Sequence, residues 1–222
     1  MKTVIFLGAG ASKADEAPLQ AELFSSYFQA RQDPHYSTKY SYANGLNVEE
    51  IVRNFFNIFF NGLKEPYPTF EEALGILEPV NKKIFEESPY AMDMYKYSLI
   101  IAMEEAIKYK LDYNGRSSLN EYHLKLVCEL HLKKLQGKVT FISSNYDLLI
   151  DNALCYLSGL DYGFGEKLKP RLWKLLKLHG SLNWLYCPRC KKVNSYIGQK
   201  KSLDECFGPA ELECECGGKK KQ

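Results

Sequence analysis

The chain has no long apolar run. Nothing in it approaches the roughly 18 uncharged apolar residues of a membrane span, and the stretch Ser98 to Met103 runs straight into Glu104-Glu105. It also lacks the apolar core of a secretory signal. After Met1-Lys2 the apolar residues reach only from Thr3 to Leu7 before Gly8 interrupts them, fewer than the roughly 7–15 such a segment needs. These absences lead to the expectation of a cytoplasmic protein with no membrane partner. Charge of one sign is missing too: the net charge of +2 supplies no strong field for nucleic acid, and Lys219-Lys220-Lys221 reads as a solvated end. Neither an internal repeat nor a low-complexity segment is found, which excludes a repeat array. In a cytoplasmic setting the seven cysteines are not expected to form a disulfide framework.

What is present is an ordinary globular composition, 45% hydrophobic and 25% charged over 222 residues, enough for one domain with inserts or two small ones. Thr3-Val4-Ile5-Phe6-Leu7 reads as a buried parallel strand closed by glycine, and residues 19–31 as a helix. The stretch from Asp33 to Asn47 reads as a loop. From Val48 to Leu135 the pattern is helical. Val48, Ile51, Val52, Phe55, Phe56 and Phe59 share one face, and Phe70, Leu74, Leu77 and Ile84 repeat the spacing, with Pro79 marking a break or kink. Helices over 91–111 and 119–135 follow, the second ending at Gly137. Val139-Thr140-Phe141-Ile142 resumes the strand pattern, 147–157 reads as a helix, and 172–178 forms a third strand. Beyond Leu185 little regular structure is expected.

Each of the three strands ends in small or polar residues, which is how an open α/β sheet builds a site at its carboxyl edge. The first runs into Gly8-Ala9-Gly10-Ala11-Ser12, a loop whose backbone can approach a pyrophosphate closely. Lys13 stands where the dinucleotide fingerprint wants a third glycine, which disfavours a hydride-transferring enzyme. The second strand runs into Ser143-Ser144-Asn145-Tyr146-Asp147. There an amide and a carboxylate two residues apart project toward one crevice, although either could instead cap a helix. The third runs into His179-Gly180-Ser181-Leu182-Asn183-Trp184. His35, His123 and His131 lack such a setting, and the two on the helix are expected on a solvated face.

Five of the seven cysteines fall between Cys187 and Cys216. Cys187-x2-Cys190 followed by Cys214-x-Cys216 has the form of a four-cysteine zinc ribbon, in which thiolates organise a segment too short for its own core. Cys206 lies between the pairs and could replace Cys214 or Cys216, and a redox Cys-x2-Cys is the competing reading. Cys128 and Cys155 sit in apolar helical runs and are expected as buried thiols.

Taken together, these motifs resemble the sirtuin family, more closely its divergent prokaryotic branch. The resemblance covers roughly residues 1–12 and 139–218. It implies that Gly8, Ala9, Gly10, Ala11 and Ser12 wrap the pyrophosphate and ribose of NAD. It further implies that Asn145 orients the nicotinamide ribose or a water, that Asp147 holds the carboxamide, and that His179 is the general base, a role suited to an imidazole near neutral pH. Protein deacetylases continue the glycine loop with Gly-Ile-Pro-x-Phe-Arg, whereas this chain continues Lys13-Ala14-Asp15-Glu16-Ala17-Pro18.

The fold expected is therefore α/β. A Rossmann-like parallel sheet that binds NAD is assigned to 1–47 and 136–184, a helical insertion to 48–135 and a zinc module to 185–222. Sirtuins carry further strands after the zinc module, so the sheet is expected to be incomplete at its C-terminal side, as in a fragment or a reduced form. An additional domain, subunit or regulatory partner would then complete the site. The function expected is cleavage of the nicotinamide–ribose bond of NAD. NAD glycohydrolase, an activity that prokaryotic relatives use in phage defence, ranks ahead of NAD-dependent protein-lysine deacylase and of a non-catalytic NAD- or ADP-ribose-binding module.

Overall fold

The computed structural model describes residues 2–36, 47–80, 89–113, 121–164, 172–195 and 214–218. They fall into two units, one made of Met1–Glu16 with Arg116–Gln222 and the other of Ala17–Gly115. No helix among the described residues is long and apolar enough to cross a membrane.

The first unit is built on short strands whose side chains alternate between two faces. Strands β1 (Thr3–Leu7), β2 (Val139–Ser143), β3 (Leu160–Asp161) and β4 (Trp173–Lys177) form one parallel sheet in the order β1-β2-β4-β3. Helix α1 (Ala9–Ala14) follows β1 directly, α6 (Glu121–Leu132) precedes β2, and α7 (Leu149–Leu157) connects β2 to β3. One face of the sheet is buried under α6 and α7. Phe141, Trp173, Leu175, Ile150, Leu154 and Val127 meet there with essentially no exposure, Ile5 and Leu7 joining from β1. The other parity tells a different story, since Val4 and Phe6 are 60% and 61% exposed and Leu176 is 44% exposed. β1 is thus parallel, as expected, but buried on one side only. An apolar run cannot distinguish a strand covered on both faces from one covered on one.

The second unit is helical. After a 3-10 turn at Gln20–Glu22 come α2 (Leu23–Gln32), α3 (Val48–Phe59), α4 (Phe70–Val80) and α5 (Pro89–Tyr113). Asn47 caps α3 by accepting from the Glu49 amide at 2.9 Å. Of the expected stripe, Val48, Ile51, Val52, Phe55 and Phe56 are buried and Phe59 is half-buried, with Phe24 edge-on to Phe56 at 4.9 Å. Thr69 and Glu72 cap α4 reciprocally, a capping box. Pro79 falls in the last turn of α4, where it removes one amide donor from the helix, and Ile84 lies outside the described residues. Helices α2, α3 and α4 all pack on α5. The helical unit takes in α2, N-terminal to residue 48, and leaves α6 to the sheet.

Three expectations are corrected. His123 is buried, at 4% exposure, whereas His131 is exposed. Cys128 and Cys155 are only half-buried. The segment after Leu185 begins with regular structure, a hairpin of β5 (Trp184–Tyr186) and β6 (Val193–Ser195).

The unequal faces of the sheet predict unequal mutational costs. Leu154→Ala, in the covered core, should lose about 2–5 kcal/mol in urea unfolding, whereas Phe6→Ser should stay within about 0.5 kcal/mol. Comparable losses would mean that the Phe6 face is covered in the free protein.

Candidate functional site

Parallel register aligns the ends of three strands. Leu7 pairs with Ser143, and Ser143 with Lys177, so the segments that follow leave the sheet side by side. Backbone hydrogen bonds hold them there: the Ser144 amide donates to the Leu7 carbonyl at 3.1 Å, the Leu178 amide to Ser143 at 2.9 Å, and the Leu182 amide to Tyr146 at 3.1 Å. All three sequence motifs therefore meet at one edge.

Asn145 joins the first two. Its Nδ2 donates to the Gly8 carbonyl at 2.9 Å and to Ser12 Oγ at 2.7 Å. Ser12 Oγ in turn donates to Asp147 Oδ2 at 2.7 Å, and the other Asp147 oxygen accepts from the Leu149 amide at 3.0 Å, at the start of α7. Ser12 and Asp147 are buried. Both Asp147 oxygens are thus engaged by the protein, one at the start of α7 and one on the glycine loop. Ala9 and Gly10 are exposed on the glycine loop, and a Cβ built at Gly10 would meet no atom within 4 Å.

His179 lies exposed on the turn after β4, its ring centroid 6.0 Å from that of Tyr146. Gly180 follows with φ of +91°, a left-handed conformation that glycine adopts without strain. It lets the chain reverse immediately after the histidine.

The sequence reading missed a buried network under this edge. Lys177 occupies a core-facing position of β4, in phase with Trp173 and Leu175, and its side chain is fully buried. Its Nζ donates to the Asp147 carbonyl oxygen and pairs with Asp151 Oδ2 at 3.1 Å. The Tyr162 hydroxyl donates to the other Asp151 oxygen, and Asn183 Nδ2 donates to that hydroxyl at 3.1 Å. Burial raises the Asp151 carboxyl above the usual carboxylate range, while the Lys177 ammonium pulls the other way. Burial, then the Asp151 charge, raises the Tyr162 phenol as well. A second missed pair is Asp15 with His123. Asp15 accepts from the Tyr122 and His123 amides at 3.0 and 3.2 Å, capping the start of α6, and also meets His123 Nδ1. Strand parity marked Lys177 in the sequence, as a charge at an inward position. Nothing local marked Asp15.

Cys187, Cys190, Cys214 and Cys216 come together with all four sulfurs within 4.8 Å of one another. The closest approaches are 3.5 Å for Cys187 with Cys216 and 3.6 Å for Cys190 with Cys214. Thiolates about 2.3 Å from a tetrahedral ion stand about 3.8 Å apart, so the cluster has the dimensions to hold a metal such as zinc. The Cys190 backbone amide is the main influence drawing the Cys187 thiol down to about 6, whereas for Cys216 the Gly218 amide is outweighed by burial and the neighbouring cysteines, which push the thiol up to about 11. Gly218 closes the cluster, where a Cβ would stand 2.9 Å from Cys187 Sγ and 2.8 Å from Arg189 Cβ. Cys206 lies outside the described residues.

Two tests follow from these contacts. Lys177→Met should destabilise the protein by about 3–5 kcal/mol, because it strands a buried carboxylate. Adding Asp151→Asn should recover part of that loss in chemical denaturation, and strictly additive losses would deny the coupling. Gly218→Ala should lower metal content and expose the four thiols to a thiol reagent in the folded state, while full metal retention would show that the crowding is relieved elsewhere.

No protein-family model matches the chain, and no curated protein matches it, so the residues and their geometry alone speak to function.

Proposed function

We propose that the carboxyl edge of the parallel sheet is an NAD site and that the protein is a sirtuin-like NAD glycohydrolase with a structural zinc ion in its cysteine cluster. The observation that supports this best is the Asn145 side chain, which ties the glycine loop to the end of β2 beside the turn that carries His179. A nucleotide-cleaving site needs its phosphate-holding loop and its polar groups fixed relative to one another, since positioning supplies much of the rate.

In this reading the backbone of the Gly8–Ser12 loop, exposed at Ala9 and Gly10, receives the pyrophosphate. Asn145 orients the ribose or the attacking water, Asp147 braces the loop through Ser12, and His179 accepts the proton. Water adds to the anomeric carbon as the C–N bond to nicotinamide breaks. The bonding pair leaves with the ring nitrogen, giving neutral nicotinamide, and the proton of the water passes to His179. The products are nicotinamide and ADP-ribose, and no acyl group is consumed. The replacement of the deacetylase run by Lys13-Ala14-Asp15-Glu16-Ala17-Pro18 favours hydrolysis over deacylation. Four thiolates around zinc would fix the hairpin and the Cys214–Gly218 turn as one structural piece.

Incubation with NAD alone should release nicotinamide and ADP-ribose, resolved by chromatography. His179→Ala should slow release by about 10²–10⁴-fold, the usual contribution of a general base, and Asn145→Ala should be severely impaired. Nicotinamide that forms only with an acylated peptide present would replace this reading with a deacylase. NAD binding without turnover would replace it with a binding module. Elemental analysis should give one zinc per chain, and a chain without metal and with four reactive thiols would remove zinc from the proposal.

A further inference from the structure

The uncovered face of the sheet is ordered by both polarity and charge. Register sets Phe6, Ile142 and Leu176 side by side across three strands, with Val4, Thr140 and Lys174 forming the preceding row. Leu178, just beyond β4, is 60% exposed on the carboxyl side. Lys2 and Lys138, each one residue before its strand, are exposed at the amino-terminal edge, where Lys174 also stands. Apolar side chains thus hold the carboxyl half, and three lysines surround the exposed Val4 in the amino half. Parallel sheets occur almost only with both faces covered, and on this one Val4, Phe6, Leu176 and Leu178 stay exposed while Ile142 is half-buried.

We propose that this face is a docking surface for an amphipathic helix of a partner polypeptide, with an apolar stripe seated on Phe6, Ile142, Leu176 and Leu178 and acidic residues meeting Lys2, Lys138 and Lys174. The dimensions agree. Three strands span about 10 Å, the width of a helix, and the rows from Lys2 to Leu178 run about 20 Å, the length of about 13 helical residues. The charge pattern disfavours a second copy of the chain. Stacked in the same direction, two such faces oppose lysines to lysines. Stacked in opposite directions, they set the lysines of one copy on the apolar row of the other. A helix that is acidic at one end satisfies both halves at once. This inference stands apart from the NAD reading.

The test uses the whole chain and a fluorescent, lactam-constrained helix of about 14 residues, with leucines at helical spacing and three glutamates in its first turn. Saturable binding by anisotropy is expected. Leu176→Asp should weaken it about tenfold or more, as the loss of one leucine's burial implies. Lys174→Glu should weaken it too, and a helix bearing lysines in place of the glutamates should recover binding to that variant. Leu176 is exposed and Lys174 half-buried, and unchanged thermal melting would confirm that the variants fold. No saturable binding, equal binding of a scrambled peptide, or indifference to both substitutions would overturn the proposal. So would phosphatidylserine vesicles binding in the peptide's place and losing that binding with Leu176→Asp, which would make the face a lipid surface. A dimer seen by sedimentation and dissolved by Phe6→Asp would overturn it in favour of self-association.

Discussion

An ammonium group taken out of water must be surrounded by acceptors, and the way Lys177 meets that demand organises the sheet unit. Its two partners lie on different segments, the Asp147 carbonyl in the turn after β2 and the Asp151 carboxylate within α7. Asp151 passes the constraint to Tyr162 beyond β3, and Tyr162 passes it to Asn183 at the foot of the cysteine hairpin. One buried charge therefore links the end of β4, the start of α7 and the base of the cysteine cluster. Buried ion pairs of this kind are weak sources of net stability but severe when broken. Their effect here is geometric, since the Asp147 backbone is held from below while its side chain is held from beside by Ser12.

The strand ends were legible because alternation and glycine are local signals. Short, mostly apolar and β-branched runs closed by Gly8 or by Ser143-Ser144 read as strands, and parallel pairing then sets their ends at one edge. The cysteine cluster was legible for the same reason: each pair has tight local spacing, and only the joining of the two pairs required the fold. The α3 stripe followed from helical period alone.

What could not be read depended on partners distant in sequence. Asp15 and His123 are 108 residues apart, and a histidine in a helix of mixed polarity carries no mark of a carboxylate waiting for it. Lys177 was visible as an inward charge, but its acceptors follow only once β4 lies beside β2. The exposure of Val4 and Phe6 was hidden because hydrophobicity reports a preference for burial, and burial itself depends on whether a covering element exists. The β5–β6 hairpin is short, and alternation over three residues is too brief a signal to separate strand from loop.

The hydrogen bonds of Asn145 fix more than a loop. The Gly8 carbonyl can only accept, so the amide nitrogen must face it, and Ser12 takes up the remaining hydrogen of that nitrogen. The side-chain oxygen is then the only part of the amide left to face outward, and it can only receive a proton. Anything that settles against it must bring an O–H or N–H of its own. At this one atom, then, the edge of the sheet can pair with a hydroxyl or an N–H and not with a carbonyl.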